Sequence, residues 1–218
     1  MCIRDSFDML MRGRRGAVKP RTEAELHPFR ARFVQMFREL RAETGLRYYL
    51  AHNMTVTPAN LDQVAETVRA VLPMGFSMMS FQPAAHVGDD RRWKESYTAV
   101  DVDAVWAQLE RALGHRVPHE GIEFGDPRCN RVAFGFLVAG RWHGLIDPDD
   151  ARDRAARDRF FAHFGGVAFS GTPPLLLVVK VLRVLRRHPG DLPVALGWVL
   201  RTVRRAGGVR ALARAARA

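Results

Sequence analysis

The stretch that decides the fold is LAHNMTVTPANLDQV, residues 50–64. Its first half is rich in apolar and β-branched residues and is too short for a typical helix, so it predicts a strand. From Pro58 onward the apolar residues recur at helical spacing, at Leu61, Val64, Val68 and Val71. Pro58 suits a helix start, where its missing N–H costs nothing, and Gly75 suits a helix end. The stretch therefore predicts a strand that runs directly into a helix.

The neighbouring segments repeat this alternation. EAELHPFRARFVQMFRELRAETG, residues 23–45, predicts an amphipathic helix capped by Thr22 and stopped by Gly45, and its apolar face consists of Phe29, Phe33, Met36, Phe37 and Leu40. FSMMSFQP, residues 76–83, predicts a second strand. Helix, strand, helix and strand in this order predict parallel strands joined by right-handed crossovers, the repeating unit of a barrel or an open α/β sheet.

The pattern changes after about residue 98. DVDAVWAQLERALG, residues 101–114, predicts a helix, and RVAFGFLVAGRWHGLID, residues 131–147, predicts a hairpin that turns near Ala139 and Gly140. A charged helix follows, and then three basic helices separated by HPGD and AGG. We therefore divide the chain into an α/β unit, an α/β extension with a hairpin and a basic helical tail, at residues 7–98, 99–171 and 172–218.

The first six residues, MCIRDS, match the translation of ATG TGT ATA AGA GAC AG, a DNA end that a transposase attaches to fragmented DNA. We interpret residues 1–6 as a sequencing-adapter artefact and exclude them from the fold. A sheet of two predicted strands also leaves both sheet edges without partners. Both observations predict that the reading frame begins inside a longer gene.

The composition excludes several classes of protein. The chain is 47% hydrophobic and has only two cysteines, Cys2 and Cys129, which excludes disorder and a disulfide framework and fits the cytoplasm. The net charge of +11 is concentrated in the tail, because residues 175–218 hold ten Lys or Arg and a single acid, Asp191. Aromatic residues are not interleaved with these arginines, so we do not expect nucleic-acid binding.

Three phrases together resemble the second half of the partial barrel of radical S-adenosylmethionine enzymes: FDMLMRGRRG, LAHNMTVTPANLDQV and MSFQPAAHVGD. In that family a strand ending in Asn or Thr leads into TPxNLxxV and a helix, and the next strand ends in Gln-Pro before a Gly-containing loop. The resemblance covers somewhat under half of the chain. It implies the C-terminal part of a partial (β/α) barrel.

The resemblance also implies a site, because ligands of barrels meet the carboxyl ends of the strands. The cofactor-binding candidates are Asn53, Thr55, Thr57, Gln82 and Pro83, and the substrate-contact candidates are His86, Arg91 and Arg92. Alternatively, Asn53 and Thr57 only satisfy the strand end and cap the following helix. The implied cofactors of the parent enzyme are S-adenosylmethionine and a 4Fe-4S cluster, which generate a radical that abstracts hydrogen from substrate.

The sequence departs from the family at the cluster. The CxxxCxxC loop that holds the iron–sulfur cluster is absent from the sequence, and one native cysteine cannot replace it. We therefore expect the chain itself to be inactive and to hold neither cofactor. Cys129 is a candidate for an auxiliary site, although its spacing from His115, His119 and His143 fits no zinc signature.

The tail favours a second function. Lys180, Arg183 and Arg187 form one stripe on a helix that is otherwise leucine and valine, and Trp198 lies in the next helix. Such helices either pack into the protein or lie on an anionic membrane surface. In the second case the protein would be peripheral at the membrane, and a lipid substrate would be favoured over another small molecule. The alternative to the enzyme is a non-catalytic α/β protein that binds membranes through residues 175–218.

Overall fold

The computed structural model describes residues 2–5, 7–9, 20–46, 48–84, 98–169 and 172–215. The chain forms two compact units, Met1–Arg116 and Val117–Ala218. The boundaries predicted at 98/99 and 171/172 stay predictions, and the two units divide between Arg116 and Val117. Residues 101–114 belong to the first unit because their helix buries Val105 in its core, and the tail helices belong to the second unit together with the hairpin.

The first unit contains a three-stranded parallel sheet in the order β1-β2-β3. The strands are β1 (Cys2–Arg4), β2 (Tyr49–Val56) and β3 (Met78–Pro83), and the β2–β3 register runs from Ala51↔Met78 to Val56↔Pro83. The predicted strands and their parallel pairing are confirmed. The protein is a mixed α/β protein, and its described residues contain no closed barrel.

Residues 2–5 take part in the sheet of the first unit, although the adapter interpretation excludes residues 1–6 from the fold. Cys2–Arg4 pairs with β2, and the following Asp5 is 3% exposed. Without β1, this edge of β2 would present unpaired backbone groups, which any extended segment within reach can satisfy. The adapter origin of these residues stays a prediction.

In the described part of the first unit, three α-helices accompany this sheet: α1 (His27–Thr44), α2 (Val64–Val71) and α3 (Val102–Leu113). Gly45 and Gly75 end the first two helical segments in the left-handed conformation, with φ of 68° and 101°, as predicted. The N-cap of α1 is Leu26 instead of Thr22. Residues of β2, α2 and α3, together with Val100 just before α3, form the core: Met54, Val56, Val64, Val68, Val100 and Val105.

The predicted apolar face of α1 is only partly used. Phe33 stacks on Phe76 and contacts Phe7, but Phe29 and Met36 are about half exposed. The buried residues of α1 are Val34 and Arg30. A charged residue thus takes a position that helical periodicity assigns to the surface.

The described residues of the second unit form a hairpin and four helices. Strands β4 (Gly135–Val138) and β5 (Arg141–Gly144) pair antiparallel around Ala139 and Gly140, whose φ angles are 51° and 76°. Two positive φ angles are the signature of a tight hairpin turn. The helices are α4 (Ala151–Phe164), α5 (Pro174–Arg187), α6 (Asp191–Arg205) and α7 (Val209–Ala215). Among the described residues, no helix has the length and apolar character of a bilayer-spanning segment.

Candidate functional site

The two faces of the β2–β3 sheet differ in character. Met54 and Val56 of β2, with Met79 and Phe81 of β3, face the core formed with α2 and α3. Because side chains alternate along a strand, the other face carries the intervening residues. Cross-strand register pairs Asn53 with Ser80 and Thr55 with Gln82 on that side. We call these four residues the polar face.

The polar face brings together three of the five predicted cofactor residues, Asn53, Thr55 and Gln82. Pro83 pairs with Val56 and by alternation belongs to the core-facing side. Thr57 is committed to the turn, because its N–H donates to Asn60 Oδ1 (2.8 Å) and its Oγ1 accepts from Ala59 N–H (3.3 Å). The alternative interpretation of Thr57 as a residue that satisfies the strand end therefore matches its contacts.

The sequence analysis missed one member of the polar face, Ser80. The alternation of FSMMSFQP placed Ser80 and Gln82 two residues apart and hence on one side of the strand. His86, Arg91 and Arg92, the predicted substrate contacts, lie outside the described residues. The polar face is therefore defined by β2 and β3 alone.

Asn53 carries the least satisfied group of this face. Its Oδ1 is buried and has no hydrogen-bond partner in the part of the chain that the structure describes. Buried polar atoms almost always have a hydrogen-bond partner, so a buried acceptor without one is available to a ligand. Gln82 is exposed at the carboxyl end of β3, and Thr55 and Ser80 are partly buried. Their amide and hydroxyl groups provide both donors and acceptors.

Two buried carboxylates close the edge of β2 beside the polar face. Asp5 Oδ1 accepts from the backbone N–H of Asn53 (3.0 Å), and Asp8 Oδ2 accepts from that of Thr55 (3.2 Å). Asp5 also contacts His52 Nδ1 at 2.9 Å. These acids replace the ladder that a further strand would make, so they fix the backbone that presents Asn53 and Thr55.

A buried ion pair anchors this edge to α1. Glu23 and Arg30 are 1% and 0% exposed, and Arg30 Nη2 lies 2.5 Å from Glu23 Oε2. Arg30 also donates to the carbonyl oxygen of Phe7 (2.6 Å). Asn60, which is fully buried, donates to Glu23 Oε1 and to the carbonyl oxygen of Thr55, both at 3.0 Å. The cluster Glu23, Arg30 and Asn60 thus connects α1, the chain before it and the end of β2.

His27 lies at the border of this cluster. Its Nδ1 is 2.9 Å from Arg30 Nη1. Burial lowers the pKa of the His27 imidazole, and the charge of Arg30 lowers it further. His27 is therefore predominantly neutral at pH 7, and its Nδ1 is available to accept from Arg30.

Comparison with protein families, with curated proteins and with solved structures finds no match. The resemblance to radical S-adenosylmethionine enzymes therefore depends on the sequence phrases alone.

Cys129 was the candidate for an auxiliary metal site. Its side chain is exposed, and the described residues contain no group of three His, Cys, Asp or Glu side chains that would hold a metal ion. Its neighbours Asp126 and Arg128 pair with each other at 2.6 Å, and this hydrogen bond lowers the pKa of the Asp126 carboxyl. The arrangement around Cys129 gives no support to a metal site.

The structure also divides the basic residues of the tail into two groups. Arg201 and Arg205 bind the fully buried Asp153 at 2.8 and 2.6 Å, and Trp198 Nε1 donates to the carbonyl oxygen of Leu145 (2.9 Å). These three residues therefore stabilise the second unit.

Proposed function

We propose that the first unit is part of the barrel wall of a radical S-adenosylmethionine enzyme and that the polar face contacts the cofactor or the substrate. The observation that carries the proposal is the polar face itself, at the carboxyl ends of two parallel strands. Ligands of α/β barrels and sheets bind at this end of the strands.

The contrast between the two faces favours a barrel wall over an open sheet. Helices usually cover both faces of an open parallel sheet, and its strands are apolar on both sides. Here Met54 and Val56 face the helices, whereas Asn53 and Thr55 alternate with them. A strand with one apolar and one polar side suits a barrel in which helices lie outside and a ligand inside.

The residues of the polar face fit the nucleoside part of S-adenosylmethionine. Asn53 Oδ1 offers an acceptor for an amino or hydroxyl donor, and the Thr55 hydroxyl and Gln82 amide offer both kinds of group. The same groups also suit a polar substrate. The motifs do not indicate which small molecule or lipid the parent enzyme acts on.

The chain does not fit the iron–sulfur cluster. A cluster of this type needs three thiolates from one loop, and the sequence contains only Cys2 and Cys129. The proposal therefore assigns the cluster and the radical chemistry to a longer parent chain. The residues present here would orient and enclose the ligand.

Titration of the isotopically labelled chain with S-adenosylhomocysteine, a redox-inert analogue, tests the proposal by NMR. Because the chain is not expected to retain the cofactor, we expect weak, rapidly exchanging binding at high analogue concentration, with amide shift changes confined to residues 53–57 and 80–82. Gln82→Ala should weaken binding by about fivefold, the worth of one hydrogen bond of about 1 kcal/mol. Gln35→Ala is the matched control, because Gln35 is an exposed glutamine on α1 that donates to Glu39. Shift changes elsewhere, or equal effects of the two variants, would count against the polar face.

A further inference from the structure

Helix α5 exposes an apolar stripe to solvent. Leu175, Val178, Val179 and Leu182 follow helical spacing and are 78%, 53%, 45% and 59% exposed. No residue of this 14-residue helix is buried. Isolated helices of this length are marginal in water, and most helices gain their stability by packing an apolar face. The outward face of α5 therefore requires an apolar surface from outside the described residues.

Helix α6 has the same outward character. Leu192, Leu196, Val199 and Leu200 lie on one side of the helix and are each between 43% and 57% exposed. Trp198, Arg201 and Arg205 occupy the opposite side and bind within the second unit. The two sides of α6 therefore have distinct roles, and only the inward one is satisfied.

Exposed arginines accompany both apolar stripes. Arg183, Arg186 and Arg187 are exposed on α5, and Arg204 is exposed on α6. Residues 174–190 and 192–215 contain no acid, and none of the described carboxylates pairs with these four arginines. The one acid of the tail, Asp191, already binds His163 and Arg159. Each stripe is therefore apolar and cationic without neutralising charge among the described residues.

This combination selects an anionic lipid surface as its occupant. Leucine and valine side chains enter the boundary between headgroups and acyl chains, while the long arginine side chains reach phosphate groups. A second copy of the chain would oppose the same unpaired arginines to each other. We propose that α5 and α6 dock the protein on an anionic lipid surface through these stripes. This surface lies in the second unit and does not depend on the polar face.

Vesicle flotation with the full chain tests the proposal. We compare vesicles of phosphatidylcholine alone with vesicles that also contain phosphatidylglycerol, and expect binding to the second kind only, weakened by high salt. Each arginine near an anionic surface contributes about fivefold in affinity, so Arg183→Gln/Arg186→Gln/Arg187→Gln should weaken binding about 100-fold. Leu175→Ser/Leu182→Ser should also weaken it strongly. All five side chains are more than one-third exposed, so the fold should survive, which far-UV circular dichroism verifies.

A charge-matched control separates a local surface from general attraction. Arg32→Gln/Arg41→Gln/Arg128→Gln removes the same charge from exposed sites outside the tail and should retain near wild-type binding. Equal losses in the two triple variants would overturn the proposal, as would absence of binding to anionic vesicles. Sedimentation velocity tests whether the stripes instead join two copies of the chain. A dimer that Leu175→Ser/Leu182→Ser dissociates, without vesicle binding by the wild type, would assign the stripes to a second copy of the chain.

Discussion

Replacing Glu23 by glutamine tests whether the buried ion pair holds the edge of the polar face. Glutamine keeps the size of the side chain and an oxygen acceptor, but the buried Arg30 guanidinium loses its counter-ion. Removing one partner of a buried pair costs roughly 3–5 kcal/mol. Arg30 keeps two backbone carbonyl acceptors, at Phe7 and at position 23, so we expect the lower limit, about 3 kcal/mol.

The cost should appear as a lower free energy of unfolding of the first unit. Hydrogen exchange of the β2 amides at increasing denaturant measures it separately from the second unit. Glu39→Gln is the matched control, because Glu39 pairs with Arg32 at 3.4 Å on the surface. Exposed pairs contribute about 0–1 kcal/mol, so this control should change stability little.

A double variant adds a sharper criterion. Glu23→Leu/Arg30→Met removes both charges, and replacing a buried pair by apolar residues is often neutral. We expect the double variant to be more stable than Glu23→Leu alone, even though Asn60 and Met9 lose an acceptor in both. If Glu23→Gln costs no more than Glu39→Gln, the ion pair does not stabilise this edge.

Two further predictions concern the second unit. Ala139→Gly should raise the free energy of unfolding of the hairpin by about 1 kcal/mol, because a left-handed residue with a Cβ costs about 1–2 kcal/mol. Thermal unfolding, together with hydrogen exchange of the β4 and β5 amides, measures this gain. Absence of a gain would contradict the turn geometry. The hydrogen bond from Arg152 lowers the pKa of Asp150, at the N-cap of α4, from 3.8 to about 2. The stabilisation that ionised Asp150 gives to the folded state is therefore complete above about pH 4 and is lost as pH falls toward 2. Asp150→Asn should therefore flatten the pH dependence of α4 unfolding in this window, and an unchanged profile would contradict the assignment.

The sequence predicted the order of elements well because that order is recorded in periodicity and in a few turn residues. The structure confirms the strand that leads into a helix after Val56, the helix ends at Gly45 and Gly75, and the hairpin turn at Ala139. Each depends on local backbone preference, which a single sequence displays directly.

The buried polar groups could not be predicted in the same way. Arg30 lies in a charged helix segment, and only the tertiary placement of Glu23 and Phe7 makes its burial favourable. Likewise, Arg201 and Arg205 looked equivalent to the other tail arginines until Asp153 proved to lie buried between them. Charge pairing over 48 or more residues leaves no periodic signal in the sequence.

The candidate site was predicted in part for a related reason. Alternation places Asn53, Thr55 and Gln82 on one face, whereas the family resemblance indicates residues by their position near the strand ends and not by face. That choice included Thr57 and Pro83 and omitted Ser80. Register between strands, which decides the face, is a property of the folded sheet.

The genomic DNA upstream of the codon for Phe7 tests the central claim most directly. The account predicts that the reading frame continues upstream and encodes a CxxxCxxC loop at the start of the same barrel. An in-frame stop codon just upstream of a native start at Met1 would contradict it and remove the enzyme assignment.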